Sequence, residues 1–428
     1  MSKTFCAYPW RHLYVQTTGH QKICCLSNEH ITKDDGYHQF NLSRDNLSSG
    51  WNSDYMKNIR KKMLKGESLP TCKRCYDLEA KGISSMRDKT NMEYYKLNTA
   101  NDGSITIPMK HLELHFGNVC NLTCKMCSQQ FSHLIGRELL RMGTIDPEFL
   151  KWVKKHSGVV NNWSGELDVV YDWFKNDKIK KEVFEKISAD VDFLSIVGGE
   201  PTAIPEFFEL LEFCYNNGTL EKKDIVLFTN LTNTNYKLTQ WMKKVKKFTI
   251  YGSIDGLNER NEYIRYPSKW NKILDSLNFY QELIKNTQRG GLSFGPTIQL
   301  LNIDHFADMI IFFEQFSEKH QIELSINWTS VVTAPVIYDY LISPADYKQY
   351  VIEHLYKKAE AIQLENNKRE VLSHVKTLES SLNNQTDRHL INAFIKFNDF
   401  QDRFRKCSSW RSLLPKLESS MIAASLKK

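Results

Sequence analysis

The chain has 428 residues, of which 41% are hydrophobic, 25% charged and 12% aromatic. That is enough material for two or three domains around at least one sizeable core, and the balance excludes wholesale disorder and low-complexity scaffolding. The formal charge of +7, from 57 Lys and Arg against 50 Asp and Glu, is too mild a surplus to announce nucleic-acid binding by itself.

No stretch approaches the roughly 18 apolar residues needed to cross a bilayer, and the first residues hold no apolar secretory core. A soluble, cytoplasmic protein with no membrane partner is therefore expected. In chain order, residues 1–105 read as an irregular α+β module. His12–Gln16 and Gln21–Cys24 flank Gly19 as a β-hairpin, and Trp51–Leu64 has helical spacing that Pro70-Thr71-Cys72 stops. Residues 1–110 carry 17 Lys and Arg against 11 Asp and Glu. Such a surplus is a solvated face or a surface that attracts an acidic substrate or partner.

From about Lys110 strands and helices alternate. The apolar runs are Leu112–Phe116, Phe193–Val197, Ile225–Phe228, Phe248–Ile254, Thr297–Leu301 and Leu324–Trp328. Helical patterns such as Phe207–Tyr215 and Phe306–Phe316 fall between them, which predicts βα units and a parallel sheet. The interval 129–190 exceeds one crossover and is expected to hold inserted helices, including Pro147–His156, with Trp152, Trp163 and Trp173 as their core or as a cap over the barrel mouth. After Pro344 the pattern is helical, with Tyr347–Ala361 and Leu390–Arg405 as its clearest segments.

The ten cysteines carry the chemistry. In a reducing cytosol their short spacings argue for metal ligation rather than disulfides. Cys120, Cys124 and Cys127 form C-x3-C-x2-C directly after the first strand of the parallel region. Three thiolates this close can hold three irons of a cubane cluster and leave the fourth open, a catalytic arrangement. The alternative is a zinc or closed iron–sulfur site that borrows a distant ligand. A second motif follows the strand Phe193–Val197: Gly198 and Gly199 allow close backbone approach, Glu200 offers an acceptor to a ligand ammonium, and Pro201 ends the ladder.

At these residues the sequence resembles the radical SAM superfamily. The resemblance implies a partial (β/α)6 barrel in which Cys120, Cys124 and Cys127 ligate a [4Fe-4S] cluster. Gly198, Gly199 and Glu200, with Pro201 closing the motif, would receive the methionyl ammonium of S-adenosylmethionine (SAM). Met126 stands where relatives often carry an aromatic residue, so adenine packing departs from the pattern. Ser253 and Asp255 in Phe248–Gly256 resemble the S-x-D-G segment that meets the SAM ribose or carboxylate, and Arg265 resembles an arginine aimed at the carboxylate or is a surface cation. Asn230 and Gln299 are expected at the ends of strands facing the barrel mouth, or as satisfied polar residues there.

The N-terminal cysteines give C-x12-G-x4-C from Cys6 through Gly19 to Cys24, followed by Cys72-x2-Cys75. This resembles the signature of SPASM and twitch modules, which implies one auxiliary [4Fe-4S] cluster on Cys6, Cys24, Cys72 and Cys75. Cys25 competes with Cys24, and the glycine spacing favours Cys24. A zinc ribbon is the alternative. Cys214 and Cys407 read as structural. The expected domains are an auxiliary-cluster module at 1–105, a partial barrel at 106–335 and a helical extension at 336–428.

The implied activity is reductive cleavage of SAM, with an electron from flavodoxin or ferredoxin, to a 5′-deoxyadenosyl radical that takes hydrogen from a peptide or protein side chain. The auxiliary cluster would aid electron transfer or substrate binding. Alternatives are a small-molecule or RNA substrate, and, from another class, a zinc-binding interaction module. Nucleic acid is the less favoured partner.

Overall fold

A computed structural model describes residues 4–80, 85–91, 99–159, 166–326 and 331–426. Trp163 and Trp328 lie outside the described residues. The chain forms two compact units: the first comprises 1–119, 170–227 and 236–248, the second 120–169, 228–235 and 249–428. These units cross the boundaries expected at 105 and 335.

Eight strands are described: β1 (His12–Val15), β2 (Gln21–Lys22), β3 (His111–His115), β4 (Phe193–Val197), β5 (Asp224–Thr229), β6 (Lys247–Gly252), β7 (Gly290–Phe294) and β8 (Leu324–Ile326). From β3 to β8, six strands alternate with helices, the pattern of a partial (β/α)6 barrel. In the first unit β1 and β2 form the expected antiparallel hairpin, with Val15 opposite Gln21. Gly19 turns it at a φ of +84°, where a Cβ would stand 2.8 Å from Asn41 Oδ1.

The N-terminal hairpin does not stand apart from the barrel strands. β1 pairs in parallel with β3, Leu13 opposite Leu112, and β3 pairs in parallel with β4, Leu112 opposite Leu194. With neighbours on both edges, all four β1 residues are buried. This pairing is the physical reason that residues 1–105 share a compact unit with β3 and β4.

In the second unit β7 and β8 pair in parallel, Ser293 opposite Ser325. The strand expected at Thr297–Leu301 is a correction: the strand is Gly290–Phe294, and only Ile298 of the expected run makes an isolated bridge, to Val331. Leu300 N–H instead donates to Tyr338 O, and Gln299 N–H to Asn302 Oδ1, which bends the backbone out of a ladder.

The insertion holds helices His133–Ile145, Pro147–His156 and Asp177–Asp190. Asp146 caps the second, accepting from Phe149 N–H, with Pro147 at its first position. Trp152 and Trp173 do not share a core. Trp173 is buried against Phe116 in the first unit, while Trp152 stacks on Phe149 in the second. The C-terminal segment adds helices Ala345–Ala359, Glu365–Ser380, Arg388–Arg405 and Pro415–Leu426 to the second unit, where Phe400 stacks on Phe149 at 3.9 Å. Among the described residues no helix is long and apolar enough to cross a membrane.

Candidate functional site

In the first unit, Cys6, Cys24, Cys72 and Cys75 line one pocket, together with the apolar side chains Ile23, Leu26, Met63 and Met86. Cys6 precedes the turn Tyr8–Trp10, Cys24 follows β2, and Cys72 and Cys75 sit on the turn Pro70–Cys72 and the helix Lys73–Ala80 that continues it. The thiols feel one another. Burial, then Cys24, raises Cys6 well above the usual thiol range; burial, with Cys72 and Cys75 adding to it, takes Cys24 to about 12; burial and then Cys75 take Cys72 to about 11.

Four converging thiols, two of them buried and two half-buried, are the donor set of a cationic centre, whose charge would favour the thiolates. Among the described residues no group of three Cys, His, Asp or Glu side chains is close enough to hold a single metal ion. Cys25 is not among the pocket's lining residues; burial and then Glu113 raise its thiol.

In the second unit the loop Cys120–Cys127 is pinned by its backbone: Thr123 N–H donates to Tyr266 O at 2.7 Å and Lys125 N–H to Ile264 O at 2.8 Å. Cys120, Cys124 and Cys127 are each half-buried. Burial, then Cys124 and Cys120, raise Cys127; burial also raises Cys124, while Arg265 works against it. The three thiols therefore lie within mutual electrostatic reach and Arg265 supplies positive charge to them. Arg265 is buried and makes an ion contact with fully buried Asp255, so the surface-cation reading of it is corrected. Met126 is half-buried in the same loop.

Gly198–Glu200 belongs to the first unit, where its backbone runs against the segment after β3. Gly199 N–H donates to Gly117 O and Glu200 N–H to Val119 O at 2.8 Å. A Cβ on Gly199 would stand 2.0 Å from Val119 O, so the glycine is required by a neighbouring chain segment before any ligand is considered. Glu200 is buried, and its carboxylate accepts from Thr202 Oγ1 at 2.7 Å and Thr202 N–H at 3.1 Å, capping the turn Pro201–Ala203.

Ser253 is half-buried one residue beyond β6, with its N–H on Thr229 O. Asn230 follows β5 and donates to Asn121 Oδ1 at 2.8 Å, which ties it to the cysteine loop. Gln299 lies in a turn rather than on a strand and donates its side chain to Thr297 O. Cys214 is buried on the helix Pro205–Asn216, and Cys407 is half-buried after Arg388–Arg405.

Sequence reasoning missed four buried charged residues around the cysteine loop: Lys125, Glu138, Asp402 and Arg405. Lys125 stands inside the motif, but its acceptors are on a helix more than 270 positions away.

Comparison with known proteins gives two family matches: the radical SAM superfamily over residues 114–313, and the SPASM iron–sulfur cluster-binding domain over residues 6–76. Residues 114–313 are a radical SAM domain. The SPASM domain precedes the radical SAM domain and contains all four cysteines of the N-terminal pocket. The two domains imply SAM and [4Fe-4S] clusters as cofactors, and the donor sets at both cysteine groups are chemically suited to such clusters.

No curated protein matches the chain. Among solved structures, this chain is similar to anSMEcpe with bound AdoMet, at 16% identity and a TM-score of 0.37, covering 59% of this chain and 60% of that one. It is also similar to SuiB of Streptococcus suis bound to S-adenosylmethionine, at 14% identity and a TM-score of 0.36, covering 76% and 67%. SuiB bound to its precursor peptide SuiA matches at 14% identity and a TM-score of 0.32, covering 84% and 61%.

Proposed function

We propose that this chain reductively cleaves SAM and abstracts hydrogen from a peptide or protein side chain, with Cys120, Cys124 and Cys127 holding the SAM-binding cluster and Cys6, Cys24, Cys72 and Cys75 an auxiliary one. The observation that carries the reading is the grouping of the thiols into one set of three and one of four. Four ligands close a four-iron cluster, whereas three leave one iron open for SAM. When bound, SAM and its cluster supply a one-electron cleavage of the sulfonium and a carbon radical able to take hydrogen.

The protein's own residues bind and orient. Arg265, buried beside Asp255 and within reach of the loop thiols, would meet the SAM carboxylate, and Ser253 and Asp255 would meet the ribose or carboxylate. Gly198, Gly199, Glu200 and Pro201 would take the ammonium end, and Met126 would pack the adenine. Since the Glu200 carboxylate already caps Pro201–Ala203, the backbone of this segment is its more available acceptor.

A flavodoxin or ferredoxin would deliver the electron. None of the ten cysteines is paired in a disulfide, which supports a reducing cytoplasm as the working compartment. A peptide substrate is supported by the pairing of the two domains in one chain, an argument from family composition.

The test is anaerobic reconstitution followed by dithionite and SAM. The wild type should form 5′-deoxyadenosine slowly without substrate, and Cys124→Ala should abolish it. Methylated product without deoxyadenosine, or a protein that takes up stoichiometric zinc and no iron, would overturn the proposal.

A further inference from the structure

The two residues that flank Cys124 are both held by a helix far along the chain. Lys125 is buried, and its ammonium donates to Asn398 Oδ1 at 3.1 Å, Gln401 Oε1 at 2.8 Å and Asp402 Oδ1 at 2.9 Å. An ammonium has three donors, and all three are used. Its Nζ also lies 4.3 Å from the centre of the Tyr263 ring. On the other side, Arg405 Nη2 donates to the Thr123 carbonyl at 2.6 Å and to Thr123 Oγ1 at 2.9 Å. The same guanidinium forks onto Glu138, Nε to Oε2 at 2.9 Å and Nη2 to Oε1 at 2.8 Å.

Asn398, Gln401, Asp402 and Arg405 are spaced i, i+3, i+4, i+7 on the helix Arg388–Arg405, so a single helix face makes every one of these contacts. Asp402 is fixed in turn by Tyr263 Oη at 3.0 Å and Trp410 N–H at 2.9 Å, and Asn398 by Tyr338 Oη at 3.0 Å. Buried charges are retained at a desolvation cost, and here the network engages every donor of Lys125 and all but the Nη1 of Arg405, which restricts the geometry. The residues it fixes here are the immediate neighbours of a cysteine.

We infer that the C-terminal helix Arg388–Arg405 is the positioning element of the cysteine loop, with Lys125, Asp402 and Arg405 as positioning residues that set where Cys124 stands. The inference rests on the reading of Cys120, Cys124 and Cys127 as cluster ligands, and it gives the C-terminal segment a role.

The test uses the full reconstituted protein with Asp402→Asn, Arg405→Lys and the milder Gln401→Ala. Each should take up iron at both sites. The cluster whose EPR signal responds to SAM should lose iron to a chelator about tenfold faster than in the wild type, the usual scale for removing a group that orients a metal ligand, and its signal should change shape. The other cluster, held in the other compact unit, should lose iron at the wild-type rate. Arg405→Lys should not restore wild-type behaviour, because an ammonium cannot reproduce the planar fork.

Equal acceleration at both clusters would mean general destabilisation and would overturn the inference, as would wild-type rates and spectra in all three variants. If Cys120, Cys124 and Cys127 can all be replaced by Ala without loss of iron, the underlying reading of the loop falls, and the inference with it.

Discussion

Arg265 Nε stands 2.7 Å from Asp255 Oδ2, an ion pair between two buried side chains. Asp255 uses its other oxygen to accept from Thr297 N–H at 2.7 Å. Burial raises Asp255 despite the arginine, and although burial alone would lower Arg265, Asp255 and then Cys124 raise it.

Arg265→Lys should therefore preserve the charge and lose the flat, forked donor set. Calorimetric SAM affinity of the reconstituted protein is expected to fall by about tenfold, since a point charge does not replace bidentate carboxylate recognition. Unchanged affinity would reduce Arg265 to a structural partner of Asp255.

Iron content tests the assignment of the seven thiols. Wild-type protein should carry about eight irons, two four-iron clusters. Replacing Cys120, Cys124 and Cys127, or Cys72 and Cys75, should remove about half. Cys25→Ala should leave the iron content unchanged, because Cys25 does not line the N-terminal pocket. Loss of half the iron from Cys25→Ala would transfer the ligand role to it.

The glycine after β4 should be intolerant for a steric reason. In Gly199→Ala the new Cβ meets backbone, Val119 O at 2.0 Å, which cannot swing aside as a flexible side chain would. A loss of about 3 kcal/mol is expected in chemical denaturation. Gly36, at φ +74° with nothing within 4 Å, is the control. Its Ala variant should lose only the left-handed backbone cost of about 1 kcal/mol. Equal losses at the two positions would contradict the clash.

His374 should make the fold sensitive to acid. It is buried on Glu365–Ser380, with Nδ1 3.1 Å from Tyr340 Oη and its ring edge-on to Phe306, and burial lowers its pKa to about 4. Because the folded value lies below the unfolded one, the neutral ring's stabilisation is present above about pH 6.5 and is lost as pH falls toward 4. Stability measured at pH 7 and pH 4.5 should differ by roughly 2 kcal/mol more in the wild type than in His374→Gln. Equal pH dependence would show that His374 does not titrate with unfolding.

Much of the fold was legible in sequence because its determinants are local. Pro147 after Asp146 sets a helix start, Gly19 sets a hairpin, and closely spaced cysteines announce chelation whatever surrounds them. β7 was not legible: Gly290-Gly291 has poor strand propensity, while Thr297–Leu301 has good propensity but its backbone groups are drawn to Tyr338 and Asn302.

The sequence by itself determined which seven cysteines are candidates and that two separate groups exist. Only the tertiary structure decided that Cys24 rather than Cys25 turns to Cys6, Cys72 and Cys75, that β1 lies beside β3, and that Asp402 meets Lys125 across 277 positions. Those outcomes depend on closing long loops, whose entropic cost changes only slowly with length. Spacing along the chain therefore carries almost no information about which distant partner wins, and burial of the particular charge and surface settles it.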